Sequence, residues 1–310
     1  MKKFTMVFIL MIPFISAAEQ YKAEPKNTTD INKAKYSKNS ESKNIFMYAP
    51  SEGEHDFMFR MMIPTGTISS KGFDAKLSGY ISNFEYSYGI NDKFSLGAKQ
   101  SLLNDYKITS NTNEIKYSGI GDTSIFAKYF LPIENMELYF SSEYKMGLLE
   151  KSKKNYDTNN YNRVAERNSL SLEFGTNFNL EIFSFGGLFL YRSYQSGETE
   201  IKSSGLSYTE LTDADSGHEL SIFSQLNLEN FKLGLSFSEG VENEYSSKMS
   251  PGSVTTKYLA STNRQLMLYS IIPFADNFEG HFSIMKLEPK DKGDITYNYY
   301  VLMAALRVSF

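Results

Sequence analysis

Few side chains in this sequence could carry out chemistry. It has three histidines and no cysteine, which excludes thiol nucleophiles and thiolate metal sites. In the stretch GHFSIM, His281 and Ser283 stand two apart, so on a strand an imidazole and a hydroxyl would share one face. Such a pair can hydrolyse an ester at a membrane surface if it faces lipid and a third group orients the imidazole. Here Phe278, Phe282 and Ile284 set the opposite phase, turning His281 and Ser283 inward, and no asparagine partner is evident. The stretch DADSGHE gathers Asp213, Asp215, His218 and Glu219, groups able to ligate a divalent cation or serve an acidic protease. Its spacing misses the EF-hand pattern, because Gly217 stands where an oxygen ligand belongs, and no facing acidic pair can be assigned. It reads as a solvated acidic loop. No catalytic residue, metal ligand or cofactor is expected, and a hydrolase ranks third among the functions weighed.

The elements that would position these groups are short segments with period-two alternation. In YISNFEYSYGI, Tyr80, Phe84, Tyr86, Tyr88 and Ile90 oppose Asn83, Glu85 and Ser87. The next segment sends Phe94, Leu96, Ala98 and Leu102 outward against Lys93, Ser95, Lys99 and Ser101. GDTSIFAKYFL sets Ile125, Ala127, Tyr129 and Leu131 against Asp122, Ser124 and Lys128. MELYFSSEYKMGLL sets Leu138, Phe140, Tyr144 and Met146 against Glu137, Glu143 and Lys145. The device recurs in SLSLEFGTNFNL, IFSFGGLFLY, HELSIFSQLNL and FKLGLSFSEGV, and more weakly in HDFMFRMMI and FEGHFSIM. RQLMLYSII is apolar on both faces, so its phase stays open.

The start, MKKFTMVFILMIPFISAAEQ, has the layout of a secretory signal: Lys2 and Lys3, an apolar run to Ile15, then Ser16-Ala17-Ala18. Cleavage is expected after Ala18, with Ala17 the alternative. Removing Lys2 and Lys3 leaves 30 basic residues of the original 32 against 36 acidic ones, a net charge of −6. That balance disfavours nucleic acid as a partner. Residues 19–50 are expected to form a flexible periplasmic segment and 51–310 a single domain. An exported chain without cysteine needs some device other than disulfides to hold it together. The aromatic load, 22 Tyr and 24 Phe with no Trp, suits a surface lying at lipid interfaces.

Connection lengths organise these segments. Short turns near 90–92, 132–136, 179–182, 228–230 and 273–277 alternate with long polar connections at 64–76, 104–120, 149–167, 196–217, 242–260 and 287–294. Tight turns at one end and long loops at the other describe an all-β, antiparallel up-and-down transmembrane β-barrel of about twelve strands, with outer-membrane lipid as its surroundings. An open sheet edge in hydrocarbon leaves N–H and C=O groups unpaired at several kcal/mol each, so the last strand must close on the first. The C-terminal strand is fitted to this: Leu306, Val308 and Phe310 share its apolar face, while Arg307 and Ser309 lie opposite. A terminal strand ending in phenylalanine also resembles the signal by which barrel-assembly machinery recognises its clients, which makes that machinery an expected partner.

Two stretches carry a resemblance. YGINDKFSLG resembles a strand-turn-strand found in many outer-membrane transporter barrels, and GIGDTSIFAKYFL resembles their G-x-G-D…K-Y segment. In this order and spacing the pair is similar to a family of outer-membrane transporters associated with phenol degradation. The resemblance covers roughly residues 80–131 and the C-terminal strand. It implies a transporter barrel and supplies neither substrate nor binding residue. Gly89 and Asn91-Asp92 are expected to serve a tight turn, and Gly119, Gly121 and Asp122 to lead a long loop back into a strand.

On the face away from lipid the alternation places Arg60, Glu85, Lys99, Asp122, Lys128, Glu143, Lys145, Glu173, Arg192 and Arg307, together with Asp56, Lys93, Glu137, Glu219, Lys232 and Glu279. The signs nearly balance. Charge at membrane depth must face water or another charge. The first expectation is therefore a lumen for passive passage of small solutes, with these charges tuning selectivity. The second is a non-conducting barrel acting through its long loops, in adhesion or membrane architecture.

Overall fold

The computed structural model describes residues 46–310, apart from 71–72, 111–112, 148–151, 163–166, 181, 229–230, 253, 276 and 291–295. The expected signal peptide lies outside the described residues, and of the segment assigned to 19–50 only 46–50 fall within them. The described residues form one 19-stranded sheet, antiparallel except for two short pairings in its rim. Its strands are β1 (His55–Ser70), β2 (Phe73–Asn91), β3 (Phe94–Ser110), β4 (Glu114–Gly119), β5 (Thr123–Ile133), β6 (Met136–Met146), β7 (Ser152–Asn155), β8 (Asn160–Asn162), β9 (Ser169–Leu180) and β10 (Phe183–Tyr194). They continue as β11 (Gly197–Ser203), β12 (Leu206–Thr212), β13 (Asp215–Asn227), β14 (Lys232–Glu242), β15 (Tyr245–Ser250), β16 (Thr255–Tyr258), β17 (Ser261–Ala275), β18 (Phe278–Lys290) and β19 (Thr296–Ser309).

A closed 12-strand barrel runs through β1, β2, β3, β5, β6, β9, β10, β13, β14, β17, β18 and β19. Closure comes from β19 pairing with β1, from Asp56 opposite Ser309 to Ser69 opposite Thr296. The last residue completes the seam: His55 N–H donates to the Phe310 carbonyl at 2.7 Å, and Phe310 N–H returns the bond at 2.9 Å. The Phe310 ring stacks 5.5 Å from Phe57 and 5.9 Å from His55. Even short staves such as β5, β6 and β14 have 11 residues, enough for a tilted strand to cross the hydrocarbon layer.

Most exposed large hydrophobics lie on the outward face of the staves, including Phe59, Met61, Leu96, Ile125, Phe140, Phe174, Phe189, Ile222, Leu235, Phe282 and Leu306, and form an apolar belt. These are the apolar sets read from the alternation. The open phase of β17 resolves with Leu266 and Leu268 outward and Tyr269 and Ile271 buried. β3 carries an irregularity, since Asn83 pairs with Ser101 but Ile81 with Asn104. The extra residue reverses the phase beyond it, so Ser95 is buried below the bulge and Asn104 above it.

The long connections differ from the expected loops. β1 and β2 run on as one hairpin, and β3–β4, β7–β8, β11–β12 and β15–β16 are further hairpins. These pair sideways into a rim, β4 with β8 and β7 with β11 in parallel, and β12 with β15 antiparallel. One face of the rim is buried, at Ser152, Thr199, Ile201, Glu210, Thr212 and Ser247, but mostly by small or polar side chains, so hydrophobic alternation is weak there while the backbone ladder still satisfies its own groups.

Candidate permeation lumen

Every inward side chain is placed by the phase of its strand. Inside the barrel wall most charges are paired. Lys99 Nζ lies 3.0 Å from Glu143, Lys128 Nζ 3.1 Å from Glu85 and Lys145 Nζ 3.6 Å from Asp122. Arg192 donates to the Tyr194 hydroxyl at 3.2 Å, which donates in turn to Glu242 at 3.1 Å. The ammonium of Lys128 also lies 4.5 Å from the Phe126 ring centre. Several groups of the expected set have no ion partner within 4 Å among the described residues, including Arg60, whose guanidinium reaches Met58 Sδ, Glu173, Glu219, and Arg192, which bonds the Tyr194 hydroxyl instead.

A second network sits at the seam. Arg307 donates from Nε and Nη2 to the two Asp56 oxygens at 2.7 and 3.1 Å, and Ser309 donates to Asp56 at 2.9 Å. Glu279 lies 3.9 Å from Arg307 and 3.3 Å from His281 Nε2. His281 is thus buried in the wall beside an arginine, an arrangement unlike a lipid-facing hydrolase. The DADSGHE residues part company. Asp215 pairs with Arg167 at 2.8 Å, His218 is outward beside Phe189, and Glu219 is inward.

The lumen also holds a piece of chain that no local sequence pattern marks. Residues 46–50 lie inside it. Met47, 1% exposed, packs against Tyr139, Leu188 and Phe223, with Phe46 and Phe130 alongside. The Phe46 ring is 5.3 Å from Phe223 and 5.4 Å from Tyr269. Tyr48 donates to Glu54 at 3.2 Å and lies beneath the Arg307 guanidinium. The segment leaves the lumen across the end of β2, where Gly53 N–H donates to the Gly89 carbonyl at 2.8 Å. A Cβ at Gly89 would overlap the Ser51 carbonyl, so close approach is the reason for this glycine. The turn is made instead by Asn91, whose Oδ1 accepts from the Lys93 and Phe94 N–H groups at 2.9 Å. Gly119, at the end of β4 where the chain returns toward β5, takes a positive φ of +107°. Further inward glycines make room for large side chains: Gly97 under Phe126, Gly186 under Phe223 and Gly234 under Tyr269.

Outside the membrane span, Glu210 of the rim accepts from Ser247 at 2.7 Å and Lys154 at 3.2 Å. Burial works to raise its carboxyl, but these partners and the Tyr258 hydroxyl outweigh it and hold the group below the usual glutamate value. Burial beside Tyr156 and Tyr117 pushes the Tyr161 hydroxyl up to about 12.

No family model matches the sequence, and no curated protein matches it. Solved structures do. The COG4313 outer membrane channel from Pseudomonas putida F1 superposes with a TM-score of 0.64 at 11% identity, over 87% of this chain and 99% of that one. The translocator domain of the autotransporter NalP from Neisseria meningitidis gives 0.51 at 13% identity, over 91% and 96%. At such identities the likeness is one of fold. Together with the closed wall and its apolar belt, it identifies the chain as an outer-membrane β-barrel.

Proposed function

We propose that this barrel provides passive passage for small solutes, and that residues 46–50 throttle the path while the inward charges set selectivity. The observation that carries this reading is what fills the lumen. Barrels of about eight strands pack their interiors with side chains, and those of 16–18 strands stand open. Here a short piece of non-strand chain occupies the intermediate space, and a chain segment can be displaced where a packed wall cannot.

Magnitudes agree with a removable obstruction. Ordering five residues costs roughly 5–10 kcal/mol of backbone entropy. Burying Met47 fully and Phe46 and Tyr48 in part returns at most roughly 5–9 kcal/mol. The two nearly cancel, which leaves the segment able to yield without unfolding the barrel.

Selectivity is tested by reversal potential across a salt gradient, with folding checked by heat-modifiable gel migration. Replacing Lys128, Lys145 and Arg192 with Glu should move the reversal potential toward cation selectivity, since Glu85, Asp122 and Glu242 would then face further carboxylates. An unchanged potential would remove these residues from the pathway.

A further inference from the structure

We propose that the lumen contains a binding pocket for a small organic ammonium ion, with Glu173 and Glu219 as its anionic groups. Glu173 and Glu219 both stand opposite Leu190, on the strands flanking β10. The three share one inward row, which sets the two glutamate Cα atoms about 10 Å apart. Between them lies a cavity of about 130 Å³ whose lining includes both glutamates, Leu190, Met267, Ser236 and Ser238.

Two independent features give this cavity a chemical character. Neither glutamate has an ion-pair partner within 4 Å among the described residues, and the nearby Lys128 and Lys99 are committed to Glu85 and Glu143 at 3.1 and 3.0 Å. Ser236 and Ser238 are 8% and 7% exposed, line the same space, and make no side-chain hydrogen bond among the described residues. Their hydroxyls line the cavity without a partner among the described residues, leaving them free to meet an occupant. The pocket thus offers acceptors, two of them carboxylates, beside thioether and alkyl wall.

A multivalent metal ion fits this poorly, since it needs several oxygens converging within about 2.6 Å, and Leu190 separates the carboxyls. An alkylammonium fits it. Its three N–H donors reach a carboxylate and a serine hydroxyl while the chain lies on Leu190 and Met267. The volume is close to that of an engineered cavity of about 150 Å³ that holds benzene, a molecule of similar size to a four-carbon amine. Phe46 lines the same space, so an occupant would touch the N-terminal segment.

The test is equilibrium binding to the refolded mature chain in detergent, read as the thermal midpoint against n-butylammonium chloride, with sodium chloride and n-butanol as controls. It does not depend on whether solutes cross. Butylammonium should raise the midpoint beyond equimolar sodium chloride, and butanol should not. The Glu173→Gln/Glu219→Gln double variant should weaken the apparent affinity at least tenfold. A butylammonium response equal to that of sodium chloride or butanol in the wild-type chain would overturn the proposal, and so would a response indifferent to both substitutions.

Discussion

Arg307 offers the sharpest energetic test of how the barrel is closed. Its side chain is 2% exposed and that of Asp56 4%, with the two joined by bonds of 2.7 and 3.1 Å across the β1–β19 seam. Arg307→Met would leave the Asp56 carboxylate buried, with the Ser309 hydroxyl still at 2.9 Å, while Glu279 keeps His281 at 3.3 Å. Removing one partner of a buried pair costs about 3–5 kcal/mol. The two surviving hydrogen bonds place this case near 3, a loss of about two powers of ten in the folding equilibrium. Asp56→Asn keeps Glu279 within 3.9 Å of the guanidinium and should cost about 1–3 kcal/mol. The double variant should fall short of the sum by on the order of 2 kcal/mol, because the second substitution removes the charge that the first had stranded. Urea unfolding in lipid vesicles, followed by far-ultraviolet circular dichroism and gel migration, measures this in a chain without tryptophan. Additivity within about 0.5 kcal/mol, or a loss below 1 kcal/mol for Arg307→Met, would refute the reasoning.

Three other outcomes follow. Gly234→Leu, which would drive a side chain into the Tyr269 ring, should cost about 1–3 kcal/mol by overpacking; the same urea assay checks it, and Tyr269→Ala should restore part of the loss. Phe310→Ala should lower the level of barrel assembled in cells while leaving refolding in detergent nearly unchanged, since the His55–Phe310 backbone pair survives; equal impairment in both settings would assign Phe310 to closure alone. Glu210 should titrate below the ordinary glutamate value of about 4.3 in a carbon-13 carboxyl titration. Because the folded value is the lower one, its contribution to rim pairing is complete above about 4.3 and is lost as pH falls through the depressed value; a midpoint at or above 4.3 would contradict the role given to Ser247 and Lys154.

The barrel was legible because lipid imposes a period of two on every stave. Phe174 and Glu173, or Leu306 and Arg307, could be assigned to opposite faces from neighbours alone. Pairing between inward charges was not legible, because Lys99 and Glu143 lie far apart in sequence and meet only through the register of three staves. Residues 46–50 have no periodicity, so nothing local marks their place in the lumen. One trace did exist: RQLMLYSII was apolar on both faces because Tyr269 meets Phe46 on the inside while Leu268 meets lipid outside. The rim escaped for a related reason, since its buried face is filled largely by polar side chains such as Thr199, Glu210, Thr212 and Ser247 and leaves little hydrophobic alternation to read.

The most direct test of the account is single-channel conductance of the chain refolded from residue 19 onward in a planar bilayer, beside a Phe46→Gly/Met47→Gly variant. The account predicts small or intermittent steps for the wild-type chain and larger, steadier ones for the variant. Equal conductance in the two, or silence in both with folded barrels confirmed by gel migration, would contradict it and make the lumen a closed interior under a working outer rim.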